Sequence, residues 1–307
     1  MNSTASLIGV DVGGTKIEAA VLARDGSVAW RERVATPQGE YVATIAAIEK
    51  LVHAARRHAP DAVGVGVGYP GSSSPFDGLH RNANSTCLNG KPLLADLRAA
   101  LRMPVRGSND ANCFALSEAV DGAGAGARTV FGVILGTGCG GGVVVDRLAL
   151  EGANGIAGEW GHMPLPLLTE EERATPGCWC GRGPCLETFL SGTSVEADFV
   201  RGGGKPAMRL IEIAAMAVQH HTIAVATIDR WIDRLGRALS VVCNMLDPDA
   251  IVFGGGASLV PGLVQRLPAA IAPHCFSDGF RTPIRLAMHG DASGVRGAAW
   301  LFATLQP

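Results

Sequence analysis

Asp11-Val12-Gly13-Gly14-Thr15-Lys16 brings a carboxylate, two glycines, a hydroxyl and an ammonium group together within one short run. Glycine lets backbone N–H groups approach phosphate oxygens, Thr15 can donate one more hydrogen bond, and Asp11 can position hydrated Mg2+. The spacing is neither the GxxxxGKS/T of a Walker loop nor the GxGxxG of a dinucleotide fingerprint. Gly136-Thr137-Gly138 is a second candidate phosphate cradle, and Gly254-Gly255-Gly256 is a third close-approach surface, suited to the nucleoside. One glycine hairpin is as well explained by a tight turn. Three such turns after apolar strands fit a cleft that wraps a phosphorylated cofactor such as ATP.

Asp110, in Gly107-Ser108-Asn109-Asp110-Ala111-Asn112, is the best candidate for a general base. It falls between an extended run and a helix beginning near Ala111, where a carboxylate can face a ligand and take the proton of a poorly nucleophilic hydroxyl. The competing reading is helix capping, in which Asn109 or Asp110 satisfies free N–H groups.

His162, Cys178, Cys180 and Cys185 offer one imidazole and three thiolates, a closed tetrahedral set for structural Zn2+. Reduced thiols beside a core histidine are the alternative, because the spacing is not that of a two-pair zinc ribbon. Gly177, Gly181 and Gly183 let the loop curl. A closed site leaves no metal position for substrate, so its role is to place Glu159 and Glu187, whose carboxylates can accept hydrogen bonds from hydroxyls unless they are simply solvated. His162 has two ring nitrogens and can serve a metal and a hydroxyl together. Cys87, Cys113, Cys139, Cys243 and Cys275 are scattered through apolar or glycine-rich segments and read as small buried side chains.

These residues need strands that end at the turns and helices that follow. Leu7 to Asp11 and Ile17 to Leu22 read as strands flanking the first turn, and Tyr41 to Ala59 as a helix. Val63 to Val67 reads as a strand ending at Gly68-Tyr69-Pro70-Gly71. Thr129 to Leu135 leads into a glycine turn over 136–142, with a partner strand at Val143 to Asp146. Met208 to Gln219 and Val225 to Leu246 read as helices, Ala250 to Phe253 as a strand, and Ser293 to Phe302 as a short helix. The strand, glycine turn, strand unit thus occurs in both halves, which implies an α/β fold with two lobes related by duplication. We expect one lobe over 1–121, completed by a C-terminal helix within 291–307, and a larger lobe over 122–290 that carries the cysteine loop.

With 307 residues, 47% hydrophobic and 18% charged, the chain can bury two cores. A net charge of −2 gives no general reason to expect nucleic acid or an anionic membrane as partner. The polar opening has no basic leader with a long apolar run, so the expectation is a cytoplasmic protein.

Taken in order, these motifs resemble the ROK family of repressors, open-reading-frame proteins and sugar kinases. The segments that carry the likeness are 11–16, 68–71, 109–112, 136–140, Gly158-Glu159-Trp160-Gly161-His162, 178–187 and 247–256. The resemblance implies an actin-like ATPase fold of the ribonuclease H-like type, Mg-ATP and a hexose in the intervening cleft, and a homodimer. It implies Asp110 as catalytic base, with Gly71, Asn109, Glu159, His162 and Glu187 on the sugar and the four-residue set on zinc. Asp11, Gly13 and Gly14 then bind Mg-ATP, joined by Thr15, Lys16 and the two later glycine turns. Gly71-Ser72-Ser73-Ser74-Pro75 and 82–90 resemble the bacterial fructokinase, or manno(fructo)kinase, branch. That likeness implies Asn84 as a sugar contact and fructose as first substrate, with mannose, glucose and N-acetylglucosamine as alternatives. A sugar-responsive repressor would need a helix-turn-helix domain ahead of residue 11.

Overall fold

The computed structural model describes residues 5–303. The outermost limits of the expected lobes, residues 1–4 and 304–307, lie outside the described residues. The chain divides into two units, one of Met1–Gly126, Gly142–Gly158 and Asp291–Pro307, the other of Ala127–Gly141 and Glu159–Gly290.

In the first unit the chain runs β1 (Leu7–Val12), β2 (Lys16–Leu22), β3 (Val28–Ala35), α1 (Tyr41–His58), β4 (Val65–Tyr69), the short ribbon β5 (Ser72–Ser73) and β6 (His80–Arg81), α2 (Leu93–Leu101), β7 (Val105–Asn109) and α3 (Asp110–Val120). The sheet order is β3-β2-β1-β4-β7, antiparallel across the first three strands and parallel from β1 to β7. β1 and β4 are central, which explains their nearly unbroken apolar runs. β3 lies at the edge and is mostly exposed. Its Arg31 and Arg33 both reach the buried carboxylate of Glu18 on β2, which adds charge pairing to the backbone ladder with β2 and to the packing of Trp30 and Val34 on the core. Helix α1 buries Thr44, Ile48, Leu51, Val52 and Ala55, a stripe at helical spacing, and its last turn carries Arg56, Arg57 and His58 where the helix dipole favours cations.

The chain then forms β8 (Thr129–Leu135), β9 (Cys139–Val145), β10 (Leu148–Ala149), α4 (Glu170–Arg173), α5 (Glu187–Leu190), α6 (Gly192–Arg201), α7 (Leu210–Val218), α8 (Thr222–Leu246), β11 (Ala250–Gly254), α9 (Leu263–Ile271), β12 (Ile284–Leu286) and α10 (Ser293–Trp300). The second sheet has the order β10-β9-β8-β11-β12. Counted from its own first strand, that is third, second, first, fourth, fifth, the same order as in the first sheet. This repeated order is the duplicated α/β architecture of the actin-like ATPase fold.

One expected turn is shorter than its glycine content suggests. Only residues 136–138 form it, closed by Gly136 N donating to Gly138 O at 3.0 Å, and β9 already begins at Cys139. Gly142 is therefore a strand residue. A Cβ there would stand 2.7 Å from Ala111 O, so its glycine serves the close approach of α3.

Helix α10 brings the chain end back to the first unit. Gly9 on β1, Gly66 on β4 and Gly297 on α10 let backbones meet: a Cβ at Gly66 would lie 1.7 Å from Ala298 O, and one at Gly297 only 1.6 Å from Cys113 O. Ser293 Oγ donates to Glu118 Oε1 at 2.8 Å, and Arg296 pairs with Asp121 while donating to Gly26 O. Buried Val295 and Trp300 complete the seat, each large apolar side chain contributing about 1.5–3 kcal/mol.

In the second unit α8 buries Ile228, Trp231, Ile232, Leu235 and Leu239. Its buried Arg234 and Arg237 bond Glu172 at 2.8 and 2.6 Å, and Glu172 also closes the capping box of α4 with Thr169. These bonds hold the segment after His162 onto α8. Among the described residues no single helix is long and apolar enough to cross a membrane.

Candidate active site

Three parallel strands of the first unit end side by side, and the candidate residues follow from that register. Asp11 pairs with Gly68 across β1 and β4, while Gly68 and Tyr69 pair with Ser108 and Asn109 across β4 and β7. The C-terminal ends of parallel strands are where open α/β sheets place ligands. Gly68 makes room for Cys113, since a Cβ there would stand 3.2 Å from Cys113 Sγ, and it lies in ordinary contact range of Asp11.

The first glycine turn is a tight hairpin. Gly13 N donates to Lys16 O at 2.9 Å, and Thr36 Oγ1 donates to Gly13 O at 2.7 Å. Gly14 and Thr15 remain exposed at its tip. Lys16 Nζ lies 3.9 Å from Asp291 Oδ2, a surface pair worth little by itself. Asp11 is pushed up to about 6, first by burial and then by the negative charge of Asp110, with Lys16 and Arg33 opposing the rise. A buried carboxylate raised by a second carboxylate beside it forms a natural place for a divalent cation.

Asn109 is the N-cap of α3: its Oδ1 accepts from Ala111 N at 2.8 Å, while its Nδ2 donates to Gly71 O at 3.0 Å. Capping therefore belongs to Asn109, although Asp110 Oδ1 also lies 2.8 Å from Ala111 N. Asp110 is exposed in the first turn of an otherwise buried helix. Gly71 has φ of +78°, and a Cβ would meet Arg81 O at 2.3 Å, so only glycine fits. Buried His80 donates from Nε2 to Pro70 O, 2.7 Å away, and steadies the same loop. Asn84 is exposed beside Ala83, whose N–H and carbonyl are both taken by the side chain of Asn89.

In the second unit, two glycine turns follow neighbouring parallel strands. Gly254 pairs with Ile134 across β11 and β8. Gly255, at φ +79°, lies so close that a Cβ would be 2.3 Å from Leu135 O. Gly192 N donates to Gly136 O at 2.7 Å and Thr193 Oγ1 to Thr137 O at 3.1 Å, which fixes the Gly136-Thr137-Gly138 turn to the start of α6. A Cβ at Gly136 or Gly256 would meet nothing within 4 Å. Those two glycines leave open backbone for a ligand.

His162, Cys178, Cys180 and Cys185 converge, with their ligand atoms all within 4.8 Å of one another. Cys178 Sγ is 3.6 Å from His162 Nδ1, and Cys180 Sγ is 3.5 Å from Cys185 Sγ. Tetrahedral zinc with Zn–S bonds of about 2.3 Å would set sulfurs about 3.8 Å apart, so the set fits that ion. Gly181 and Gly183, at φ +79° and +106°, bend the loop so that Gly183 O receives Cys178 N at 2.7 Å.

Glu187 opens α5 directly after this loop and is partly buried. Its Oε2 accepts from Cys139 N at 3.0 Å and its Oε1 from Trp179 Nε1 at 2.8 Å. Glu159 lies just ahead of buried Trp160, whose indole N–H donates to Gly140 O at 2.9 Å. The residues that motif reading passed over are Trp179, Cys139 through its amide, His80 and Asn89. Of these only Trp179, an aromatic between two metal-type cysteines, carries a local signal.

The ROK family profile matches residues 7–304. An N-acetyl-D-glucosamine kinase of Escherichia coli is 39% identical over 300 residues, covering 96% of this chain and 99% of the relative. A ROK hexokinase from Thermus thermophilus superposes with a TM-score of 0.85 at 29% identity, covering 97% of this chain and 99% of that one. A ROK glucokinase from Streptomyces griseus, solved with glucose and AMPPNP, gives 0.75 at 26% identity, with the same two coverages. The likeness runs through both units: the chain belongs to the ROK family, with sugar kinases of that family as its relatives.

Proposed function

We propose that this protein transfers the γ-phosphoryl group of ATP to a primary hydroxyl of a hexose, with N-acetyl-D-glucosamine as the preferred acceptor. The observation that carries the choice of sugar is the 39% identity to an N-acetyl-D-glucosamine kinase along almost the whole of both chains. Fructose, favoured by the likeness of residues 71–75 and 82–90 to the fructokinase branch, is the second reading.

In this mechanism Asp110 accepts the hydroxyl proton as the sugar oxygen bonds to the γ-phosphorus and the bond to the β–γ bridging oxygen breaks, releasing ADP. Asp11 would hold hydrated Mg2+, which offsets phosphate charge. Backbone N–H groups of the Gly13-Gly14 hairpin and the Gly136-Thr137-Gly138 turn orient the phosphates, with Thr15 and Lys16 beside them, and Gly254-Gly255-Gly256 accepts the nucleoside. Asn84, Asn109, Glu159, His162, Glu187 and the Gly71 loop take the sugar hydroxyls. His162, Cys178, Cys180 and Cys185 would hold Zn2+ as a structural clip, leaving His162 Nε2 for the sugar.

The test is kcat/KM with Mg-ATP across N-acetylglucosamine, N-acetylmannosamine, glucose, mannose and fructose. A clear preference for N-acetylglucosamine is the expected result. Preference for fructose would replace the sugar and keep the kinase, and no turnover of any of them would remove both.

A further inference from the structure

Trp179 stands between two of the clustered cysteines and is 68% exposed, an unusual setting for the largest side chain unless its polar edge is in use. That edge is in use. The indole N–H donates to Glu187 Oε1 at 2.8 Å, and the ring meets His162 edge to face, with centroids 5.2 Å apart. The other oxygen of the same carboxylate receives Cys139 N at 3.0 Å, where β9 leaves the glycine turn. Gly138 is close as well, since a Cβ there would lie 2.8 Å from Glu187 Oε2. One carboxylate thus joins the cysteine loop to the first residue of β9, and the indole fixes the oxygen that the backbone does not.

We propose that Trp179 is a positioning residue for Glu187, holding its carboxylate in the rotamer that receives the sugar. The idea rests on the reading of Glu187 as a sugar ligand. It separates sugar binding from nucleotide binding, because the Gly136-Thr137-Gly138 turn keeps its bonds from Gly192 and Thr193 whatever happens at Trp179. Loss of the indole donor should therefore loosen the acceptor for the hexose and leave the phosphate cradle in place.

Trp179→Phe keeps a ring against His162 and removes only the N–H. The expected result is a rise of about tenfold in the KM for N-acetyl-D-glucosamine, the scale of a lost hydrogen bond to a charged group, with kcat and the KM for ATP within about twofold. A second measurement does not depend on turnover. The indole 15N–1H resonance that disappears in Trp179→Phe should shift in Glu187→Gln, and should shift again when the wild-type protein is saturated with N-acetyl-D-glucosamine.

An unchanged sugar KM in Trp179→Phe overturns the proposal, as does an indole resonance indifferent to Glu187→Gln. Equal rises in the two KM values, or loss of bound zinc from Trp179→Phe, would make Trp179 a residue of loop folding and also overturn it. Should the wild-type protein phosphorylate no sugar, the kinase reading fails separately. The response of the resonance to Glu187→Gln then decides the link between Trp179 and Glu187 alone.

Discussion

Asp110 has the setting a proton acceptor needs: it is exposed, at the first turn of α3, with the capping duty carried by its neighbour Asn109. Asp110→Asn should keep the fold, because the cap survives, and should lower sugar phosphorylation by about 10^2–10^4-fold, the usual contribution of general base catalysis. Steady-state turnover together with a thermal melt checks both halves. Asp11 is the costlier residue to keep. Its folded-state pKa of about 6 lies above the ordinary 3.8, so the folded protein binds the proton more tightly than the unfolded chain does. Stability must then fall as pH rises from about 4 to about 6 and stay lower above that range. Asp11→Asn removes this cost, so at pH 7.5 the variant should melt higher than the wild type, by no more than about 3 kcal/mol in stability. The gap should close as pH approaches 4, and Mg2+-dependent turnover should be lost. Melting curves across that pH range are the measurement. Both acids are legible in the sequence, since each sits at a strand or helix boundary beside glycine or asparagine. The two donors on Glu187 are not, because one of them lies 48 residues away along the chain and becomes a neighbour only when β9 forms.

At the scale of elements, glycine does two different jobs, and substitution by alanine separates them. Gly297→Ala would drive a methyl into Cys113 O, a clash that neither α10 nor α3 can relieve, and should cost several kcal/mol or abolish soluble expression. Gly136→Ala meets open space and should melt like the wild type, while raising the KM for ATP if that backbone cradles phosphate. Thermal unfolding and ATP kinetics on the pair give the comparison. Composition cannot sort these glycines, and this explains why the run over 136–142 reads as one long turn when half of it is strand. Helices with a clear apolar stripe, α1, α7 and α8, emerge from periodicity to within a few residues. β3 escapes that reading because only Trp30 and Val34 of its residues pack on the core, too few to set an apolar period, while Arg31 and Arg33 turn to a buried glutamate. The repeated strand order of the two sheets is only half visible in the sequence, where two strand and glycine-turn units can be counted but the edge strands β3, β10 and β12 cannot.

Considered whole, the molecule depends on two fastenings. The first is the four-residue cluster, for which elemental analysis should find about one zinc per chain. Its removal by a chelator should lower sugar affinity before it affects the first unit, since all four ligands belong to the second. A zinc-free preparation with normal sugar KM would refute this. The second is α10. A chain ended at Gly290 lacks the helix that fills the space over Gly9, Gly66 and α3, so the truncated protein should fail to form a folded first unit, as measured by soluble yield and circular dichroism.

The same helix sets a schedule for biosynthesis. The strands of the first unit leave the ribosome well before the segment that covers them, since more than 160 residues separate Gly126 from Asp291. At roughly 5–20 residues per second, α3 waits on the order of ten to thirty seconds, and β1 and β4 longer, with their glycine-lined faces uncovered. The first unit can therefore close only after the second has been made, and its folding waits on the arrival of α10.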